Sequence, residues 1–207
     1  MAKENPKGQQ LLKEQQLHER KFETRRQFFH LFLGIAIVSL YNFHILSARR
    51  MFIILVIGIL ISIASSKYKL PGIAWFLDRF ERKHAKFPGQ GAIYYILGCF
   101  AVIGLFPPDI ASASIMVLAA GDSFSTLVGK NFGKHKIGSK SIEGTVAGIV
   151  MGFLGAFVFV PALTAFLGAF VAMLAEALDI KLFNKVIDDN LLVTVVSAIV
   201  MYGWSLI

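Results

Sequence analysis

A single cysteine, Cys99, among 207 residues leaves no second thiol for an intramolecular disulfide. It falls in an apolar run, where a thiol packs as a small hydrophobe. No cysteine–histidine spacing of a zinc site occurs. Acidic residues are few, 13 against 21 Lys and Arg, so the net charge is +8. The first 27 residues lack the apolar run and small-residue cleavage site of a signal peptide. No period of 20–50 residues recurs, which excludes repeat arrays. No polar linker is long enough to separate two domains. The expectation is a lead-in over 1–27, where Leu11, Leu12, Leu17 and Phe22 among Lys and Glu fit either an amphipathic helix on the inner leaflet or a solvated lead-in, and one membrane domain over 28–207.

What the chain has in abundance is apolar sequence. Hydrophobic residues make up 56% of it and the mean hydropathy is +0.64. Seven apolar segments stand out, at about 28–46, 51–66, 91–107, 109–128, 142–160, 162–178 and 190–206. Most approach the ~20 residues that cross a bilayer as helix. The segment at 51–66 is short and needs flanking residues. Pro107-Pro108 and Pro161 mark breaks between neighbouring helices. The fold class expected is all-α, a polytopic bundle of about seven transmembrane helices.

Charge sets the orientation. Nineteen of the 21 Lys and Arg residues lie in 1–27, 67–90, 129–140 and 179–189, and only Arg49 and Arg50 lie on the other side. The positive-inside rule then gives an N-in, C-out integral membrane protein. Topology and anionic lipid account for the basic balance, so no nucleic-acid partner is expected. Within 67–90, Ile73, Phe76, Leu77 and Phe80 fall at helical spacing, opposed by Asp78, Arg79, Arg82 and Lys83. That pattern predicts an interfacial helix on the inner face, an anchor or a gate for lipid.

Chemistry concentrates on the same inner face. An aspartate within a membrane helix costs roughly 2.5–3.5 kcal/mol on insertion scales, which makes Asp122 a functional candidate. Lys130, Lys134, Lys136 and Lys140 follow it in a glycine-containing loop with Gly129 and Gly133. Carboxylates beside cationic loop residues suit a magnesium-bound polyphosphate. Arg25, Arg26 and His30 open the first segment, and Ser141 and Glu143 open the fifth. Glu176 and Asp179 close the sixth, and Asp188, Asp189 and Asn190 open the seventh. Plainer roles compete: Ser141, Asp189 or Asn190 as helix caps, the arginines and lysines as topology signals, His30 as a packed histidine. The loop is not a Walker A, because only three residues separate Gly129 from Gly133 and His135 follows Lys134. Gly144, Gly148 and Gly152 make one smooth helix face, for packing within the chain or for a homodimer contact.

The stretch 121–144 resembles the signature of the CTP-dependent lipid kinases, which include dolichol kinase, phytol kinase and CTP-dependent diacylglycerol kinase. Glu23-Thr-Arg-Arg-Gln-Phe-Phe-His30 is similar to that family's basic pair followed by histidine. Pro88-Gly-Gln-Gly-Ala-Ile-Tyr94 is similar to its glycine entry into a helix, and Glu176 and Asp189-Asn190 to its late acidic residues. The CDP-diacylglycerol synthases carry a similar central stretch. They also have a late His-Gly-Gly motif that has no counterpart in 176–207.

The resemblance implies a catalytic membrane domain that moves the γ-phosphate of CTP to the hydroxyl of a membrane isoprenoid alcohol. It implies Asp122, Glu143 and Asp189 as the catalytic carboxylates that engage Mg2+. It implies Lys130, Lys134, Lys136, Lys140, Ser141, Gly129, Gly133, Arg26, His30 and Asn190 around the nucleotide. A diacylglycerol acceptor and a cytidylyltransferase remain alternatives. So does an ion-coupled transporter using intramembrane acids, although no inverted repeat is visible.

Overall fold

The computed structural model describes residues 6–82, 85–138, 140–178, 180–182 and 185–207. Lys83 and Asp179 lie outside the described residues. Among the described residues the regular structure is helical apart from two hairpins of paired dipeptides. Helix α1 spans Pro6–Asn42, α2 Ala48–Lys67, α3 Pro71–Phe80 and α4 Gln90–Leu105. Helix α5 (Pro108–Met116) runs through a π-helical segment, Val117–Asp122, into α6 (Ser123–Phe132). Strands β1 (Lys136–Ile137) and β2 (Lys140–Ser141) pair antiparallel and lead into α7 (Ile142–Phe157). Then come α8 (Ala162–Ala177), the hairpin β3 (Lys181–Leu182) and β4 (Lys185–Val186), and α9 (Asp189–Ser205).

Helix α1 crosses residue 27 without a break, so the polar lead-in and the first apolar segment form one 37-residue helix. Leucine and long polar side chains favour that continuity, and no proline or glycine interrupts residues 9–33. Helix α2 recruits flanking residues on both sides of 51–66, with Ser47 as its N-cap accepting from the Arg50 amide. Proline opens α5 at its first position, where the missing N–H has no helical partner anyway.

The interior is built from small residues. Gly121 on the π segment faces Gly148 of α7, and a Cβ on Gly148 would come within 3.0 Å of the Gly121 carbonyl oxygen and 2.9 Å of Ser125 Cβ. A Cβ on Gly144 would meet the Ser125 carbonyl oxygen at 2.5 Å. The smooth face of α7 is therefore used inside the chain, against the π segment and α6. Larger apolar side chains point outward instead. Phe32, Ile53, Leu60, Val146, Leu154 and Phe170 are all exposed. That much apolar surface marks a membrane boundary. Among the described residues two helical runs are long and apolar enough to cross a membrane, Ala48–Lys67 and Pro108–Phe132. The first is 17% buried over its apolar window and the second 83%, which makes Pro108–Phe132 the central helix of the bundle.

Candidate active site

The polar residues meet at one end of this bundle. The π segment is the first reason. A π turn is commonly found at functional sites, because its extra residue displaces the helix surface and re-aims side chains. Here it ends on Asp122, whose side chain is 6% exposed. Thr126, one turn on, donates its hydroxyl to Asp122 Oδ1 at 3.3 Å.

Two other carboxylates arrive from distant helices. Glu176 stands in the last turn of α8 and is buried. Asp189 opens α9. One oxygen from each of Asp122, Glu176 and Asp189 lies within 4.8 Å of the others. The cap of α9 is Asp188, which accepts the Asn190 amide at 3.1 Å. Neither Asp189 nor Asn190 caps, so the Asp189 carboxylate is left for the cluster. Asn190 donates its side-chain amide to the Gly91 carbonyl at 3.3 Å and ties α9 to the start of α4.

Lys140, from β2, reaches into the three acids. Its Nζ pairs with Glu176 and lies 3.5 Å from Asp122 Oδ1 and 3.7 Å from Asp189 Oδ2. Burial alone would lower the lysine pKa. The three carboxylates override that and hold it above the usual lysine range. Burial raises Asp189, and Lys140 opposes the rise. His30 Nε2 stands 3.7 Å from Asp122 Oδ2 on the other side and has no hydrogen-bond partner. Its ring packs edge-on against Tyr95, with centroids 4.5 Å apart.

A second charged knot lies beside the first. Glu23 is buried and takes Lys130 Nζ at 2.7 Å, Arg26 Nε at 2.9 Å and Gln27 Nε2 at 3.0 Å. Burial would raise its pKa, but Arg26 and Lys130 bring it down to about 2. A carboxylate thus holds two of the expected phosphate-binding cations in place.

Two cavities open onto the acids. One of about 490 Å³ is lined by Lys130, Lys136, Lys140, Ser141, Gly129 and Gly133, among others. The other, of about 250 Å³, has Arg26, Arg82, Asp122, Asp189 and Asn190 in its wall. Lys134 is exposed on the loop beyond them. Ser141 is the cap of α7 and accepts the Gly144 amide at 3.1 Å. Arg25, by contrast, turns away to the Arg79 carbonyl of α3, at 2.7 Å.

Glu143 is not with the other acids. It accepts His135 Nδ1 at 2.7 Å and the Lys134 backbone amide at 3.1 Å, and so shapes the lysine loop from outside. The third member of the trio is Glu176. In the sequence it stood only as an acid closing the sixth apolar segment, without the depth that marked Asp122.

The donor set fits a hard divalent cation. Three carboxylate oxygens that converge, with no thiolate or imidazole ligand among them, match Mg2+ better than zinc or copper.

No family model and no solved structure matches the chain. An uncharacterized protein of Methanocaldococcus jannaschii is 31% identical over 186 residues, covering 86% of this chain and 92% of that protein. CTP-dependent diacylglycerol kinase 1 of Schizosaccharomyces pombe is 30% identical over 145 residues, 58% of this chain and 63% of the kinase. Dolichol kinase of the same yeast is 32% identical over 128 residues, 55% of this chain and 24% of that enzyme. These matches support placing the chain among the CTP-dependent lipid kinases. It spans less than two thirds of either yeast enzyme, while it covers nearly all of the archaeal relative.

Proposed function

We propose that the protein transfers the γ-phosphate of CTP to the hydroxyl of a membrane isoprenoid alcohol, of dolichol, polyprenol or phytol type. The hydroxyl oxygen attacks the γ-phosphorus, the bond to the β–γ bridging oxygen breaks, and lipid monophosphate and CDP leave. The observation that carries this reading is the convergence of Asp122, Glu176 and Asp189 beside a cavity lined by Lys130, Lys136 and Lys140. Phosphoryl transfer needs in-line placement and charge neutralisation more than covalent help, and the lysines that line the cavity beside the acids supply cations for the second.

Lys130 and Lys136 bind phosphate oxygens, Arg26 and Asn190 border the nucleotide, and Lys134 adds field from the loop. Lys140 holds the acids together in the resting site and is drawn to phosphate when CTP arrives. Asp122 or Asp189 takes the hydroxyl proton. His30, unpartnered at Nε2, orients the hydroxyl next to Asp122. Asp122, Glu176 and Asp189 would hold Mg2+, which when bound neutralises charge on the transferring phosphoryl group. Glu143 keeps the Lys134–His135 loop folded over the site.

In this reading α1, α2, α4, the α5–α6 run, α7, α8 and α9 cross the bilayer. The N-terminus is inside, the C-terminus is outside, and the site faces the cytoplasm. The lysine-rich loops lie at the end where the acids meet, as the positive-inside rule requires. A diacylglycerol acceptor is the second reading, favoured by the S. pombe diacylglycerol kinase, of which this chain covers a larger share than it does of the dolichol kinase.

The acceptor is tested by offering CTP labelled at the γ-phosphate with polyprenol, phytol and diacylglycerol in one membrane, and resolving the labelled lipids. Label in polyprenyl or phytyl phosphate supports the first reading. Label confined to phosphatidate replaces it with the second.

A further inference from the structure

Away from the charged end, α2, α3 and α4 enclose an apolar groove of about 210 Å³. Ile54, Ile61, Phe76, Ala92 and Ile96 line it. Gly58 opens into it, and a Cβ added there would meet nothing within 4 Å. The groove is not isolated. Phe76, Leu77, Gly89 and Ala92 also border a smaller chamber that contains Arg26, His30, Tyr95 and Asn190. Arg26, Phe80, Gly91 and Asn190 continue from that chamber into the cavity bearing Asp122 and Asp189. Apolar lining thus gives way stepwise to the acids, and the unpartnered, nine-tenths buried His30 Nε2 stands at the junction.

We propose that this groove seats the hydrocarbon chain of the acceptor alcohol, with its hydroxyl directed through the His30 chamber to Asp122. The inference rests on the kinase reading for the identity of its occupant. Three observations select a lipid chain. Apart from Ser62 and Ser65 the lining is apolar, mostly aliphatic and aromatic. Helix α2, which forms one wall, is only 17% buried and otherwise presents Ile53, Ile57 and Leu60 outward, so a chain enters sideways from the bilayer. The groove is also smaller than the ~300–1,000 Å³ of sites that enclose a whole ligand, so it holds the part of a long chain nearest the hydroxyl. Helix α3 forms another wall, with Ile73, Phe76 and Leu77 on the groove and Trp75 and Arg79 outward.

The test uses the full chain in phosphatidylcholine nanodiscs and a single-chain alcohol carrying a photoreactive diazirine a few carbons from the hydroxyl. Adducts are mapped by mass spectrometry in wild type, Gly58→Trp and Gly203→Trp. Gly203 is the control, a second helical glycine whose Cβ would meet nothing within 4 Å. Adducts should concentrate on α2 and α4 residues of the groove and fall about tenfold in Gly58→Trp alone, a tenfold fall in occupancy being ~1.4 kcal/mol. In parallel, Gly58→Trp should raise the KM for a long-chain alcohol while leaving the KM for CTP unchanged. Adducts spread evenly over the lipid-facing helices, or unmoved by Gly58→Trp, overturn the proposal. Adducts in the groove without transfer of phosphate to any alcohol overturn the kinase reading and leave the groove as a lipid-chain site.

Discussion

Lys140 Nζ stands 3.5 Å from Asp122 Oδ1, although 18 residues and a hairpin separate them in sequence. The hairpin is what closes the distance. It folds the lysine back over α6 and into the space between α8 and α9, where Glu176 and Asp189 also face it. The ammonium thus occupies the region that a divalent cation would share.

Lys140→Met should expose that competition. Removing one partner of a buried ion cluster typically costs about 3–5 kcal/mol, because the carboxylates are left uncompensated. The variant should unfold at a lower temperature than wild type in a chelator. Millimolar Mg2+ should restore more of its stability than it adds to wild type, as ligand linkage requires. Thermal unfolding of purified protein with and without Mg2+ checks this, and equal Mg2+ responses contradict it.

Glu176 and Glu143 should separate by function. Glu176→Gln keeps the shape and removes a charge from the trio, so turnover should fall at least about a hundredfold, or ~2.7 kcal/mol. Glu143→Gln, which touches only His135 and the Lys134 amide, should lose no more than a few-fold. Steady-state rates for the two variants decide it, and the reverse order would move the site toward the loop.

Asp122 was legible because a charge deep in an apolar run has few structural excuses, and the lysine loop was legible because it follows directly. Glu143 and Glu176 were not distinguishable that way. Both sit at the inner end of an apolar segment, and only the packing of α8 beside α9 turns Glu176 inward while the loop amides claim Glu143. Asp188 as the cap of α9 was similarly hidden, since three consecutive polar residues offer three candidate caps. The π segment left no mark in the sequence. It lies where Gly121 packs closely against Gly148 of α7. The helices themselves were plain, because apolar runs bounded by proline and charge leave the backbone few other ways to satisfy its hydrogen bonds in lipid.

Gly148→Ala should destabilise where Gly58→Ala does not. The new methyl at 148 would stand 2.7 Å from Met173 Sδ and 2.9 Å from Ser125 Cβ, forcing a shift worth about 1–3 kcal/mol. At 58 the methyl enters open space, and helix propensity favours alanine by up to ~1 kcal/mol. Thermal unfolding of both variants checks the order.

Glu23 gives a pH dependence of known sign. Its folded pKa of about 2 lies below the ~4.3 of an unperturbed glutamate. Its contribution to stability is therefore complete above the unfolded value and lost as the pH falls through about 2. The unfolding-temperature gap between wild type and Glu23→Gln should be constant above about pH 5.5 and shrink steadily in more acidic buffer. A gap that does not change between neutral and strongly acidic pH would contradict the buried ion knot.

The central claim is phosphoryl transfer from CTP at the Asp122 end of the bundle. It is tested most directly by supplying CTP labelled separately at the α- and γ-phosphates to membranes containing a polyprenol, with wild type, Asp122→Asn and Asp109→Asn. The account predicts γ-label in lipid and CDP as co-product for wild type and Asp109→Asn, and at least about a hundredfold less for Asp122→Asn. Lipid labelled from the α-phosphate with release of pyrophosphate, or undiminished γ-transfer by Asp122→Asn, would contradict it.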